Sequence, residues 1–204
     1  MSAAHADRFV LASASPARLA TLRSAGIEPR VVVSGVDESQ VTDPEPATVA
    51  TRLAELKAQA VAAEVDPAGT SWVLGCDSVL ELGGRVLGKP DDEDDARARW
   101  HEMRGRSGVL HTGHCLVELG TGRQVLRSVD TVVHFADVTD EEIEAYVASG
   151  EPLHVAGAFT VDGLGGAFVR GLEGDPHNVV GLSLPALREM FAEVGVRWTD
   201  LWDV

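Results

Sequence analysis

Phe9-Val10-Leu11-Ala12-Ser13-Ala14-Ser15-Pro16-Ala17-Arg18-Leu19 is an apolar run that ends in two hydroxyls, a proline and an arginine. The first residues are strand-like, the run stops at Ser13, and a helical pattern starts at Pro16, so the stretch reads as the strand-to-helix turn of an α/β fold. Ser15 suits the N-cap and Pro16 the first helical position, where the N–H that proline lacks would have no intrahelical partner anyway. Such a turn presents free backbone N–H groups and the positive end of a helix dipole above the sheet. Arg18 adds a full charge within the first turn. Two readings stand for this stretch, a well-capped helix with a solvated arginine and a phosphate site.

Outward from the turn, Arg18 to Ala25 is helical with Leu19 and Leu22 on one face, Gly26 ends it, and Arg30 to Val33 reads as a second strand. Residues 35–46 form a polar loop carrying Asp37-Glu38. From Ala47 to Val65 the positions Val49, Leu53, Leu56 and Ala60 recur at helical spacing, with Lys57 near the edge of the apolar stripe. Trp72-Val73-Leu74-Gly75-Cys76 has the continuous apolar pattern of a central strand buried on both faces, and it delivers Asp77 and Ser78 at its end. Val79 to Leu87 reads as a hairpin around Gly83-Gly84, followed by Lys89-Pro90.

Asp91-Asp92-Glu93-Asp94-Asp95 could hold a metal, but acids crowd helix N-termini, and Glu93/Arg97 and Asp95/Arg99 have the i,i+4 spacing of ion pairs. Val109–Leu119 and Val125–Ala136 make an antiparallel pair. Thr139 with Glu142 forms a capping box for a helix reaching Ser149. Residues 156–181 are glycine-rich, with Gly163 to Gly174 able to permit movement, and Pro185 to Val194 is a last helix. No repeat or linker divides the chain, so residues 1–204 are expected to form a single α/β domain with a cleft.

With 17 basic and 32 acidic side chains among 204 residues, the formal net charge of -15 argues against a nucleic-acid or anionic-membrane partner. A polyanionic substrate would need locally concentrated cations or a metal. Residues 1–7 lack the basic start and apolar core of a signal peptide, and no apolar run is long enough to cross a bilayer, so a cytoplasmic address is expected. Cys76 and Cys115 have neither CxxC nor metal-ligand spacing and read as buried free thiols.

No Walker A loop is present, Gly163-Leu164-Gly165-Gly166 does not match the dinucleotide fingerprint, and Ser13 and Ser15 lack an esterase elbow. The remaining candidates are charged residues at strand ends and turns. Asp77 after a buried strand can hold a divalent cation or orient a water. Glu38, Lys57 and Lys89 are weaker candidates, because exposed acids and lysines usually mean only solvation, and Lys57 near an apolar stripe could snorkel. The histidines show no metal spacing and are assigned no chemistry, with His111 and His114 expected on opposite faces of one strand.

Taken in order, Ser13-x-Ser15-x-x-Arg18, Val36-Asp37-Glu38, Leu53-Ala54-x-x-Lys57-Ala58, Gly75-x-Asp77-Ser78-Val79, Gly88-Lys89-Pro90, Arg106-Ser107, Ala156-Gly157-Ala158-Phe159 and Asn178-Val179-Val180-Gly181-Leu182 carry a more specific signal than any one motif. The chain resembles the Maf family of nucleoside triphosphate pyrophosphatases from Val10 to Met190. The resemblance implies an α/β fold similar to the inosine triphosphatases, a long mixed, bent sheet flanked by helices with two lobes around a nucleotide cleft. It implies hydrolysis of a nucleoside triphosphate to the monophosphate and pyrophosphate, assisted by magnesium or manganese, to remove non-standard or surplus nucleotides. By the same resemblance Ser13, Ser15, Arg18 and Ser78 would bind substrate, and Glu38 and Asp77 would serve metal and water. Asp77 would accept the proton, and Lys57 and Lys89 would steady the triphosphate. A homodimer is the family expectation.

The base end departs from the pattern of members acting on thymidine and uridine triphosphates. Those have a lysine before an Ala-Gly-Ala-Tyr stretch and a glutamine after it, where this chain has Val155, Phe159 in place of tyrosine, and Asp162. An ionised Asp162 cannot donate a hydrogen bond to a carbonyl-rich base. Pro152-Leu153-His154 and the acid are similar to a branch acting on modified purines such as 7-methylguanosine triphosphate, and the base preference stays open. Two other readings compete with the hydrolase: a non-catalytic nucleotide-binding regulator of septum formation, and a transferase using the same cleft.

Overall fold

The computed structural model describes residues 8–41 and 43–203; the N-terminal segment 1–7, read above as lacking a signal peptide, lies outside them. The opening turn folds as its sequence dictates. β1 (Phe9–Ala12) is buried along its length, Ser15 caps α1 (Pro16–Ser24) by accepting the Arg18 N–H at 3.4 Å, and Pro16 begins the helix. β2 (Arg30–Val31) is a two-residue edge strand, shorter than the sequence suggests because pairing with β1 ends once Val32 N donates to Leu11 O at 3.1 Å. A single 3-10 turn, Glu38–Gln40, interrupts the loop that leads to α2 (Pro46–Glu64).

β3 (Trp72–Leu82) is eleven residues long, so Asp77 and Ser78 lie mid-strand instead of ending it. The reason is register: β3 is paired residue by residue with β5 (Ser107–Glu118) from Trp72↔Glu118 to Glu81↔Val109, and the ladder carries the two polar residues through. β4 (Arg85–Leu87) turns back on β3 across Gly83-Gly84. α3 (Glu93–Met103) carries the acidic run at its N-terminus, capped by Asp92. Asp95 pairs with Arg99 at 2.6 Å as the spacing predicts, but Arg97 turns from the Glu93 carboxylate to Asp94 and to Glu144 at 2.6 Å.

β6 (Gln124–Phe135) pairs antiparallel with β5, and α4 (Asp140–Ala148) opens with the expected Thr139/Glu142 box. The glycine-rich segment then holds β7 (Val169–Glu173) and the short α5 (Pro176–Val180), neither visible in the sequence pattern. α6 (Leu184–Glu193) follows. The sheet order is β2-β1-β3-β5-β6-β7 with β4 on β3; β1 runs parallel to β2 and β3, and the other pairs are antiparallel. No helix among the described residues is long and apolar enough to cross a membrane.

The long strands serve two cores in succession. Leu74 and Cys76 of β3, Leu116 of β5 and Val125 of β6 pack with Leu22 of α1 and Phe191 of α6. Farther along the same strands Leu80, Leu110, Val133 and Phe135 pack with Trp100 of α3 and Ile143 of α4. Asp77 and Ser78 stand on β3 between the two, where the mixed sheet passes from one lobe to the other.

The opposite sheet face is covered by α2, whose Ala54, Ala58 and Val61 pack on Val10, Val73 and Cys115. The approach is close because of two strand glycines. A Cβ at Gly75 would overlap the backbone oxygen of Ala54, and one at Gly113 that of Ala50. The buried stripe of α2 runs through Val49, Ala50, Leu53, Ala54, Lys57, Ala58 and Val61. Lys57 is therefore inside this face at 8% exposure, not snorkelling at its edge, while Leu56 and Ala60 are only half-buried.

Candidate active site

A cavity of about 840 Å³ opens between the lobes, and every candidate residue lines it: Ser13, Ser15 and Arg18 from the turn after β1, Glu38 from the 3-10 turn, Lys57 from α2, Asp77 and Ser78 from β3, Lys89 after β4, and Asp162 before β7. Sequence positions 149 residues apart thus share one wall-to-wall site, which spacing alone does not show.

Arg18 is neither solvated nor a free phosphate ligand. Its Nε donates to Gly181 O at 2.7 Å, Nη1 to Ser13 Oγ at 3.1 Å and Nη2 to Ser78 Oγ at 3.1 Å. These bonds lock the guanidinium against the floor of the cavity at 9% exposure. Ser78 Oγ also lies 2.9 Å from Thr112 Oγ1, whose own proton goes to Asn178 O at 2.9 Å. A hydroxyl has one proton. Thr112 gives its proton to Asn178, so Ser78 donates to Thr112 and accepts from Arg18. The hydroxyl of Ser78 is thereby committed to orienting Arg18. Asn178, fully buried, ties this chain to the sheet through Nδ2 bonds to Leu110 O, Val129 O and Thr131 Oγ1.

Lys57 Nζ sits between two carboxylates, 2.5 Å from Asp77 Oδ1 and 2.6 Å from Glu38 Oε1. The close seat of α2 on Gly75 brings the lysine to β3. Burial pushes the Asp77 carboxyl above its ordinary range, against the pull of Lys57 and Arg18. For Glu38 burial pushes the same way, but the hydrogen bond and charge of Lys57, with Lys89 and Arg18 farther off, outweigh it and the net shift is downward. One carboxyl is thus made more basic and its neighbour less so.

Three cations, Arg18, Lys57 and Lys89, and four carboxylates, Glu38, Asp77, Asp91 and Asp162, line the cavity among the described residues. The local field therefore gives a bare triphosphate no net positive charge to meet. No cluster of three or more metal-ligating side chains exists among the described residues. The Asp77/Glu38 pair is the carboxylate set that would hold a divalent cation, of the kind kept by one or two carboxylates together with phosphates.

Sequence reasoning missed His154, Thr160 and Asp91, which line the same cavity; His154 stood in a quoted motif but no histidine was given a role. His111 and His114 are buried away from it on opposite sheet faces, as alternation predicts. His111 Nδ1 and Nε2 face Asp130 at 2.8 Å and Glu81 at 3.2 Å. His114 Nε2 accepts the Ser183 N–H at 2.9 Å, and burial pushes this ring down to about 4. Cys76 and Cys115 are free and buried, each thiol pushed up to about 12 by desolvation.

A nucleoside triphosphate pyrophosphatase of Streptomyces coelicolor is 57% identical over 195 residues, covering 96% of this chain and 94% of that one. A protein of the same name from Salinispora tropica is 59% identical, covering 96% of this chain and 87% of that one. Among solved structures, the Staphylococcus aureus Ham1 protein is similar with a TM-score of 0.40 and 13% identity, over 64% of this chain and 72% of that chain. The family model described as Maf-like protein matches residues 8–194, and the chain belongs to the Maf-like protein family.

Proposed function

We propose that the protein hydrolyses a nucleoside triphosphate to its monophosphate and pyrophosphate in the cavity between its lobes. The observation that carries this reading is the buried Asp77–Lys57 pair, joined by the exposed Glu38, facing the Ser13–Arg18 turn across one cavity. Simple nucleotide binding needs the cations but has little use for carboxylates beside phosphates; a hydrolase uses both. The names of the relatives agree with this activity and lend nothing to a regulatory binder.

The triphosphate lies against the Ser13–Ser15 turn and Arg18, whose guanidinium is already oriented by Ser13, Ser78 and Gly181. Phosphate oxygens draw Lys57 away from the two carboxylates. Asp77, made basic by burial, then accepts a proton from a water aligned with the α-phosphorus. The water oxygen bonds to that phosphorus as the α–β bridging oxygen leaves with pyrophosphate, and Lys57 and Lys89 meet the charge gathering there. Asp77 and Glu38 would hold a divalent cation, magnesium or manganese, which when bound neutralises triphosphate charge. Asp162, Thr160 and His154 line the wall left for the base. The two buried free thiols suit a reducing compartment, the cytoplasm.

The test is monophosphate and pyrophosphate release from ATP, GTP, CTP, UTP and 7-methylguanosine triphosphate with magnesium or manganese. Equal release of both products is expected, with a loss of at least about 100-fold in Asp77→Asn. Absence of turnover, or product formed only when an acceptor other than water is added, would overturn the hydrolase reading.

A further inference from the structure

The wall that carries Asp162 is built around one carboxylate that the reaction does not use. Glu151 follows α4, and its Oε1 accepts from Thr160 Oγ1 at 2.5 Å, Tyr146 OH at 3.1 Å and Gly165 N at 2.9 Å. Its Oε2 accepts from Leu164 N at 2.9 Å. Thr160 stands at one end of a short loop and Leu164 and Gly165 at the other, so the two ends meet on a single side chain with Asp162 between them. Thr160 and Asp162 both line the cavity.

The loop is wrapped tightly. A Cβ at Gly163 would stand 2.5 Å from Glu151 Oε2, and one at Gly165 would overlap the Tyr146 hydroxyl. These glycines admit close packing of the loop against Glu151 and Tyr146. The stretch just before is held as firmly: Ala158 has a positive φ of 58°, its carbonyl accepts the Trp100 indole N–H at 2.8 Å, and Gly157 N donates to Gly88 O at 2.9 Å. Burial pushes the Glu151 carboxyl up, the four donors outweigh it, and the net shift is downward, as for an ionised acceptor.

We infer that Glu151 is the positioning residue that sets base selectivity, by clamping both ends of the 160–165 loop so that Asp162 meets the base at a fixed place. The inference rests on the hydrolase reading above. A carboxylate in a cavity that admits a polyanion is repelled by phosphate and attracted by N–H donors, so Asp162 discriminates among base edges. Discrimination by a polar group requires that the group stay where the wrong base leaves it badly matched. Glu151 supplies that rigidity without touching substrate.

In Glu151→Gln one acceptor oxygen becomes an NH2 that confronts N–H or O–H donors. The experiment measures kcat/KM for ATP, GTP, CTP and UTP in the wild type, Glu151→Gln, Asp162→Asn and the double variant, with Asp77→Asn as control. Glu151→Gln is expected to shift the ratio between best and worst base by about tenfold, in the same direction as Asp162→Asn. The double variant is expected to shift it no further than Asp162→Asn alone, because the two act as one unit. If Glu151→Gln shows no cooperative unfolding transition, Tyr146→Phe, which removes one of the four donors, carries the same measurement with a smaller shift in the same direction.

A uniform fall in kcat/KM for all four nucleotides, or a shift that adds in full to that of Asp162→Asn, would assign Glu151 a merely structural role and overturn the inference. Turnover undiminished in Asp77→Asn would instead overturn the hydrolase reading itself, whatever the ratios.

Discussion

Asp77 was legible as a residue type and not as a place. A carboxylate after an apolar run reads as the end of a strand, and only the unbroken β3–β5 ladder shows that it is held mid-sheet with a lysine on one oxygen. Arg18 was legible as a charge near a helix N-terminus, but its three partners, Ser13, Ser78 and Gly181, come from segments that no local pattern links. His114 shows the same limit from the other side: alternation gives its face, while its neutrality depends on complete burial. That burial makes a pH prediction. The ring must stay unprotonated for Nε2 to accept from Ser183, and its folded value of about 4 lies below the ordinary 6.5. A depressed histidine contributes stability in full above 6.5 and loses it as pH falls toward 4, by about 3 kcal/mol in all. In His114→Gln, whose amide oxygen can still accept, urea unfolding between pH 7 and 4 is expected to give a shallower loss of stability than in the wild type. Parallel curves would show that another group carries the acid limb.

Among the elements, α2 shows what periodicity reaches. Its existence and length follow from apolar spacing, but the stripe through Leu56 and Ala60 is rotated from the face that is buried, because Gly75 and Gly113 admit alanines where larger side chains would not fit. β7 and α5 were invisible for a different reason: in a glycine-rich stretch, pairing with β6 and the Asp175 cap decide the structure, and side-chain pattern contributes little. The seating of α2 also fixes Lys57, so packing and chemistry are coupled through a glycine that touches no substrate. Gly75→Ala forces a Cβ into the backbone of Ala54 and Ala58. It is expected to destabilise by about 1–3 kcal/mol, as overpacking does, and to lower kcat more than tenfold by moving Lys57 from Asp77, an effect on the scale of a misplaced catalytic group. Gly69→Ala, which meets nothing within 4 Å, is the control. Stability lost with kcat retained would separate the helix seat from the site.

At the scale of the whole molecule, two cores on shared strands leave a cleft where neither core closes, and the net charge of -15 sets what that cleft must overcome. Composition stated the difficulty, and the structure sharpens it: the cations of the site are matched by carboxylates, and Lys57 is already held by two of them. A triphosphate brought in alone would face Asp77, Glu38, Asp91 and Asp162 with no surplus of positive charge. Asp77 and Glu38 would hold a divalent cation that neutralises part of the triphosphate charge, with Lys57 left to the phosphate oxygens. A non-hydrolysable α,β-methylene triphosphate with magnesium is therefore expected to raise Tm. A ligand at 100 times its Kd stabilises by about 2.7 kcal/mol, and in a chain of this size each kcal/mol moves Tm by roughly 2–4 °C. With EDTA in place of the metal, both the rise in Tm and the turnover of substrate are expected to vanish. A rise of equal size in EDTA would mean that Arg18, Lys57 and Lys89 suffice for the triphosphate, and that the paired carboxylates serve the attacking water alone.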